Sequence, residues 1–205
     1  MRQLLMILFF IPSLVLGVEA SNSTTNYGEL LLETEAPKQA KQNLTLFLGN
    51  EIDNVYFQTQ LASIQYERKL NSYFDMNIEA TFLNNQESQT LININQSDLT
   101  KLNATKMNYG ASVGTYFKPL FGQINFLSIK SLPFQLGPTL SIGFAEVESN
   151  ELTATVFQYS VGLKNNFDLT KKMNLQFSLE ENFRENTFGV NENLTRLKIG
   201  LGYLF

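Results

Sequence analysis

The chain has no cysteine and no histidine. Without cysteine there is no disulfide framework, no thiolate metal site and no cysteine-linked lipid anchor. Without histidine the commonest general base and the commonest metal ligand are gone, and so is every Ser-His or Cys-His pair. Long apolar runs are missing beyond the first residues, and mean hydropathy is only −0.10. That excludes a helical membrane bundle, in which each span needs about 20 apolar residues. Glycine and proline are too sparse, at 12 and 5 of 205 residues, to suggest overall disorder. A net charge of −4 gives no basic field for nucleic acid.

What is present is alternation. The length fits one domain. Residues 1–20 read as a signal peptide: Arg2 supplies a positive start, Leu4 to Leu16 a short apolar stretch, and Val18-Glu19-Ala20 a small-residue cleavage site. Residues 21–42 read as a flexible periplasmic leader. Within it Leu30-Leu31-Leu32 is expected to form a brief helical turn or to pack under the domain, and Pro37 stops any continuation.

From Asn43 onward apolar and polar side chains alternate with period two, broken by turn-like stretches. The pattern predicts eight strands: 43–49, 55–67, 73–83, 106–117, 133–146, 153–167, 173–184 and 194–205. In the second, the phase shifts between Leu61 and Ile64, which predicts a bulge. In the fourth, Met107, Tyr109, Ala111, Val113 and Phe117 form the apolar face.

Two objects fit eight such strands. A soluble barrel or sandwich hides the apolar faces. A membrane barrel turns them to lipid and keeps a polar interior. The polar faces are rich in Gly, Ser, Asn and Gln, which suits the cramped inside of an eight-stranded barrel better than a soluble surface. The expected fold is therefore all-β: an eight-stranded antiparallel transmembrane barrel over residues 43–205. Glu181 falls on the lipid-facing phase, so it must lie near a membrane boundary or be turned inward by a bulge.

The polar phase places Glu79, Lys106, Lys164, Glu180, Arg184, Arg196 and Lys198 in the lumen as a bracing charge network. Glu180 and Lys198, on adjacent strands, are expected to pair. With both termini periplasmic, residues 68–72, 118–132 and 168–172 form periplasmic turns. Residues 50–54, 84–105, 147–152 and 185–193 form outer loops, the longest being 84–105. Basic residues (Arg68, Lys69, Lys118, Lys130, Lys171, Lys172) gather in the first set. Acidic ones (Glu51, Asp53, Glu87, Glu148, Glu151, Glu192) gather in the second.

The chain stops within its last strand, on an aromatic residue. An unpaired edge there would invite aggregation, whereas a closed barrel pairs it with the first strand. Lys198, Gly200, Tyr203 and Phe205 resemble the terminal sorting signal of bacterial outer-membrane β-barrel proteins. The resemblance implies that the barrel-assembly machinery and periplasmic chaperones are partners during biogenesis. The Lys118-Pro119-Leu120-Phe121-Gly122-Gln123 segment, with Val161-Gly162-Leu163-Lys164, resembles the outer-membrane β-barrel domain proteins of myxobacteria and predatory bacteria. Gln123 stands where that family usually has Lys. The small OmpA/OmpX-like barrels are the nearest architectural comparison.

The reading expects a monomeric structural or interaction barrel of the outer membrane, bound by lipid, with no cofactor, metal or catalytic residue. A narrow pore and a soluble lipocalin-like periplasmic binder are the alternatives. A histidine-free membrane enzyme using Glu79, Glu180 or Glu181 is a further one.

Overall fold

The computed structural model describes residues 29–32, 42–96, 104–126, 130–149, 152–184 and 192–205. The predicted signal peptide lies outside them. In chain order the elements are β1 (Glu29–Leu32), β2 (Gln42–Glu51), β3 (Phe57–Lys69), β4 (Phe74–Glu87), helix α1 (Gln89–Gln96), β5 (Lys106–Phe117), β6 (Leu120–Phe126), β7 (Lys130–Ser149), β8 (Leu152–Asp168), β9 (Met173–Arg184) and β10 (Glu192–Leu204).

All pairings are antiparallel. The sheet runs β7-β5-β4-β3-β2-β10-β9-β8 and closes by pairing β7 with β8. These eight strands are the eight predicted ones. At the closing seam Leu204 faces Asn43 in register. Backbone bonds between Gln42 and Phe205 (3.2 and 3.0 Å) finish it. We call this end the terminal rim and the opposite end the distal rim. Turns between strands are set by local side-chain caps. Asn71 Oδ1 accepts the Tyr73 and Phe74 amides at 2.8 and 2.9 Å. Thr170 Oγ1 does the same for Lys172 and Met173.

Residues 118–132 are not simply a turn. After β5, Lys118 and Pro119 add one residue on this side of the hairpin, so Tyr116 faces Thr139 but Leu120 faces Leu136. The chain then continues as β6 against the first half of β7. Gly137 makes this possible: a Cβ there would stand 1.8 Å from the Phe117 carbonyl oxygen. The leader stretch Glu29–Leu32 is a strand rather than a helical turn, and it pairs with β6.

The outer loop expected at 84–105 is partly structured. β4 runs on to Glu87 and α1 follows. Ser88 caps α1: its Oγ accepts the Leu91 amide at 3.3 Å. The same residue ties the helix to the β2–β3 loop through Tyr56 O (2.8 Å) and Val55 O (2.7 Å).

The bulge expected between Leu61 and Ile64 is absent, because β3 pairs without a break on both sides. The register shift lies instead between Met107 and Tyr109 on β5.

Candidate functional site: the lumen and its distal mouth

Over most of the barrel the polar phase points inward. Asn43, Thr45, Gln65, Glu79, Lys164, Asn174, Gln176 and Lys198 are buried, none more than 7 % exposed. The apolar phase points outward: Leu46, Leu48, Ile78, Phe82, Phe144, Ile199 and Leu201 are each about half exposed or more. A soluble β-barrel has the opposite arrangement. Exposed aliphatics in a closed belt need lipid against them. On β10 the belt runs from Leu197 to Phe205, about 26 Å of strand at ~3.3 Å per residue. At a tilt of about 40° that covers roughly 20 Å of bilayer.

The belt has aromatic edges. Near the distal edge Phe144 meets Phe157 edge-on at 5.9 Å, and Tyr159 stacks on Phe183 at 4.8 Å. Near the terminal edge Phe74 stacks on Phe117 at 4.8 Å, and Tyr203 lies against Phe205.

Past the distal aromatic edge the polarity inverts. The inward positions become apolar: Phe57, Leu61, Met107, Ala145, Val147, Val156 and Leu194 are all buried. Met107, Ala145, Val147 and Val156 form one cluster with Leu83 and Ala154 against it. The outward positions become polar: Asn50, Gln58, Gln60, Asn84, Gln86, Thr153 and Thr155 are exposed. This end of the wall has the design of a soluble barrel, so it stands in water. The inversion explains why Leu61 breaks phase with Ile64 on a strand that has no bulge. Met107, expected on the lipid face, turns inward at the real bulge.

The lumen is crossed by ion pairs in three tiers. Nearest the terminal rim, Lys118 Nζ meets Asp75 Oδ1 at 2.6 Å. Lys164 pairs with Glu67 and donates to Gln65 Oε1 at 2.8 Å. Tyr116, fully buried, donates to the carbonyls of Gln135 and Lys164. In the middle, Lys198 Nζ lies 2.8 and 3.0 Å from the two Glu79 oxygens and 2.9 Å from Glu180. Toward the distal end, Arg196 donates twice to Glu51 Oε1 (3.1 and 3.0 Å) and once to Asn182 Oδ1 (3.2 Å). Arg184 Nη2 stands 3.7 Å from both Glu51 and Glu192.

Lys164 with Glu67, and Arg196 with Met107 (Nη2 to Sδ, 3.0 Å), join strands on opposite sides of the barrel. Side chains therefore bridge the full width of the interior.

Six of the seven predicted network residues lie where the alternation put them: Glu79, Lys164, Glu180, Arg184, Arg196 and Lys198. The Glu180–Lys198 pair forms as expected. Lys106 does not belong. It sits at the distal rim, about one-third exposed, paired with Glu148 at 3.2 Å. The bulge between Met107 and Tyr109 reverses the phase, so with Met107 turned in, its neighbour Lys106 is turned out. Glu51, Glu67, Asp75 and Lys118 complete the network and were missed. Asp75 lay on the polar phase of its strand. Glu51 and Lys118 fell in stretches read as loop or turn, and Glu67 in a strand end. Glu181 keeps the outward phase beside Val161 and Thr195, yet is only 7 % exposed, three residues from the end of β9. No bulge turns it.

Of the four residues that resemble a terminal sorting signal, Lys198 and Gly200 face the lumen, and Tyr203 and Phe205 face out. A Cβ on Gly200 would stand 2.6 Å from the Phe47 ring.

At the distal rim, Glu148 also accepts from Asn108 Nδ2 at 3.1 Å. The Asn108 hydrogen bond and then the Lys106 ammonium hold its carboxyl below the usual glutamate range. Beside the β2–β3 loop a depression of about 270 Å³ is lined by Asn50, Glu51, Asn54, Gln58, Gln60 and Gln86, among others.

No family model matches the chain, and no curated protein matches it in sequence. Solved structures do match. Neisserial surface protein A is similar with a TM-score of 0.50 at 12 % identity, over 80 % of this chain and 96 % of the other. This is the eight-stranded barrel fold of outer-membrane proteins. The attachment invasion locus protein of Yersinia pestis is also similar, with a TM-score of 0.38 at 14 % identity, over 82 % of this chain and 99 % of the other. A de novo designed transmembrane β-barrel gives a TM-score of 0.38 at 12 % identity, over 84 % and 100 %. Such identities speak to the barrel alone.

Proposed function

We propose that the protein is a non-catalytic barrel of the bacterial outer membrane that carries an interaction collar on its outer side and conducts nothing. The observation that carries this reading is the inverted polarity at the distal end. An apolar interior and polar exterior there lift the wall, α1 and the β2–β3 depression clear of the lipid. The terminal rim is then periplasmic.

The lumen supports a sealed barrel. Tiers of ion pairs span it, and the apolar cluster around Met107 closes the side of the mouth opposite Arg196. In an eight-stranded barrel the interior is just filled by side chains. Its buried carboxylates already have cationic partners, so they brace the structure rather than react. Outer-membrane lipid, the assembly machinery and periplasmic chaperones are the proposed partners, with Lys198, Gly200, Tyr203 and Phe205 as the strand read during assembly. A kinship with the barrel-domain proteins of myxobacteria and predatory bacteria belongs to the same proposal, as does a monomeric state.

Cell fractionation combined with heat-modifiable gel migration tests this. The folded protein is expected with outer membranes and should change mobility on boiling. Recovery in the soluble periplasm would sink the proposal and favour the lipocalin-like alternative. Planar-bilayer recording should be silent, and discrete conductance steps would favour the pore.

A further inference from the structure

Arg184 ends β9 on the inward face, at the distal mouth. Its side chain is 2 % exposed, yet Nε and Nη1 have no hydrogen-bond partner. Nη2 stands 3.7 Å from Glu51 and Glu192, beyond hydrogen-bond range. Glu51 is already held twice by Arg196. Asn182 lies two residues earlier on the same face. Its Oδ1 accepts from Arg196, and its Nδ2, also buried, is unpartnered. Gln158 faces Arg184 in register on β8, and its buried Oε1 is unpartnered too. Buried guanidinium groups are normally satisfied, because desolvating a charged donor without a partner is costly.

We propose that the distal mouth holds a carboxylate-binding site anchored by Arg184. A planar two-oxygen acceptor fits the fork made by the free Nε and by Nη2, whose carboxylate neighbours stand back at 3.7 Å. Asn182 Nδ2 offers a further donor. Gln158 Oε1 suits a hydroxyl or N–H next to the ligand's carboxylate. The local charge disfavours a dianion: Arg184 and Arg196 are balanced by Glu51 and Glu192, so a monoanion adds one uncompensated charge where a phosphate dianion adds two. The ligand comes from solution, because Arg184 faces the lumen and the wall screens it from lipid. The site goes beyond the collar proposed above and requires only the closed barrel.

The test uses the full refolded chain in nanodiscs at fixed ionic strength, with chloride replaced stepwise by acetate and then by lactate. Nitrogen-15 NMR follows the Arg184 Nε–H signal, and the thermal midpoint is read in parallel. A saturable Nε shift and a rise in midpoint are expected, with lactate acting at lower concentration than acetate. The rise should vanish in Arg184→Gln. In Asn182→Asp, which keeps the acceptor for Arg196 but turns the free donor into a carboxylate, the Nε signal should no longer respond to acetate. A linear response equal to that of chloride overturns the site. So does a midpoint rise that survives Arg184→Gln. If Arg184→Gln does not fold, an unchanged acetate response in Asn182→Asp overturns it as well. Tighter binding of phosphate than of acetate overturns the monoanion chemistry.

Discussion

Replacing Lys198 with Met removes the cation that, among the described residues, joins Glu79 to Glu180. Lys198 Nζ makes three contacts of 2.8 to 3.0 Å with these carboxylates, and its side chain is 2 % exposed. Removing one partner of a buried pair costs about 3–5 kcal/mol, because the other charge is left uncompensated. Here two carboxylates are stranded, which pushes the cost up. Each keeps a neutral donor, which pulls it down: Glu79 retains Gln65 Nε2 at 3.0 Å, and Glu180 retains Ser178 Oγ at 2.7 Å. The expected loss is about 4 kcal/mol. The triple variant Lys198→Met, Glu79→Gln, Glu180→Gln removes charge from both sides. It should recover to within about 1–2 kcal/mol of the parent.

The assay is equilibrium urea unfolding of the protein refolded into lipid vesicles. The chain has no tryptophan, so far-UV circular dichroism and the heat-modifiable gel band serve as probes. Refolding in vitro separates stability from any reading of Lys198 by an assembly machine. A single variant within about 1 kcal/mol of the parent would refute the reasoning, since the tier would then not be held by Lys198. So would a triple variant no better than the single one.

The lipid belt predicts a contrast between two arginines. Leu201→Arg, at mid-belt on β10, should cost about 2–4 kcal/mol in vesicles, while Gln60→Arg, beyond the distal aromatic edge, should cost about 0–1. Equal costs would erase the proposed boundary. Gly202→Ala places a Cβ 2.0 Å from Asn174 Oδ1, 2.6 Å from Asn43 Oδ1 and 2.7 Å from Thr45 Oγ1. Overpacking of this kind should destabilise by about 1–3 kcal/mol in the same unfolding assay. For Glu148, carbon-13 NMR should show a carboxyl midpoint below its usual 4.5, rising again in Asn108→Ala. Because its folded value is depressed, the rim pair contributes above the unfolded midpoint and loses that contribution as pH falls through the folded one.

The eight strands were legible because a period of two survives wherever one face meets lipid and the other a crowded polar interior. The Glu180–Lys198 pair was legible for the same reason: phase fixes the face, and adjacency of β9 and β10 fixes the neighbour. Strand ends were not legible. Lys106 and Glu51 both sit there, yet Glu51 turns in to Arg196 while Lys106 stays at the rim with Glu148. Glu51 keeps the inward phase of Asn43, Thr45 and Phe47 on a strand longer than the one read, and the bulge at Met107, which the pattern does not announce, reverses Lys106. The β6 hairpin hid behind Lys118-Pro119, whose turn-like composition marks an added residue in a longer hairpin.

Leu61 carries the sharper lesson. Leu61 and Ile64 sit on opposite faces of one unbroken strand, and both are in the right place for an apolar side chain. Ile64 faces lipid, and Leu61 faces the apolar core of the part that stands in water. A flip of hydrophobic phase within a regular strand is thus a depth marker rather than an irregularity. β10 repeats the signal independently, with Leu194 turned in and Leu197 turned out. β8 does so as well, with Val156 turned in and Phe157 turned out. Three strands change face toward the same end of the barrel, and a boundary between two solvents accounts for residues so far apart in sequence doing so.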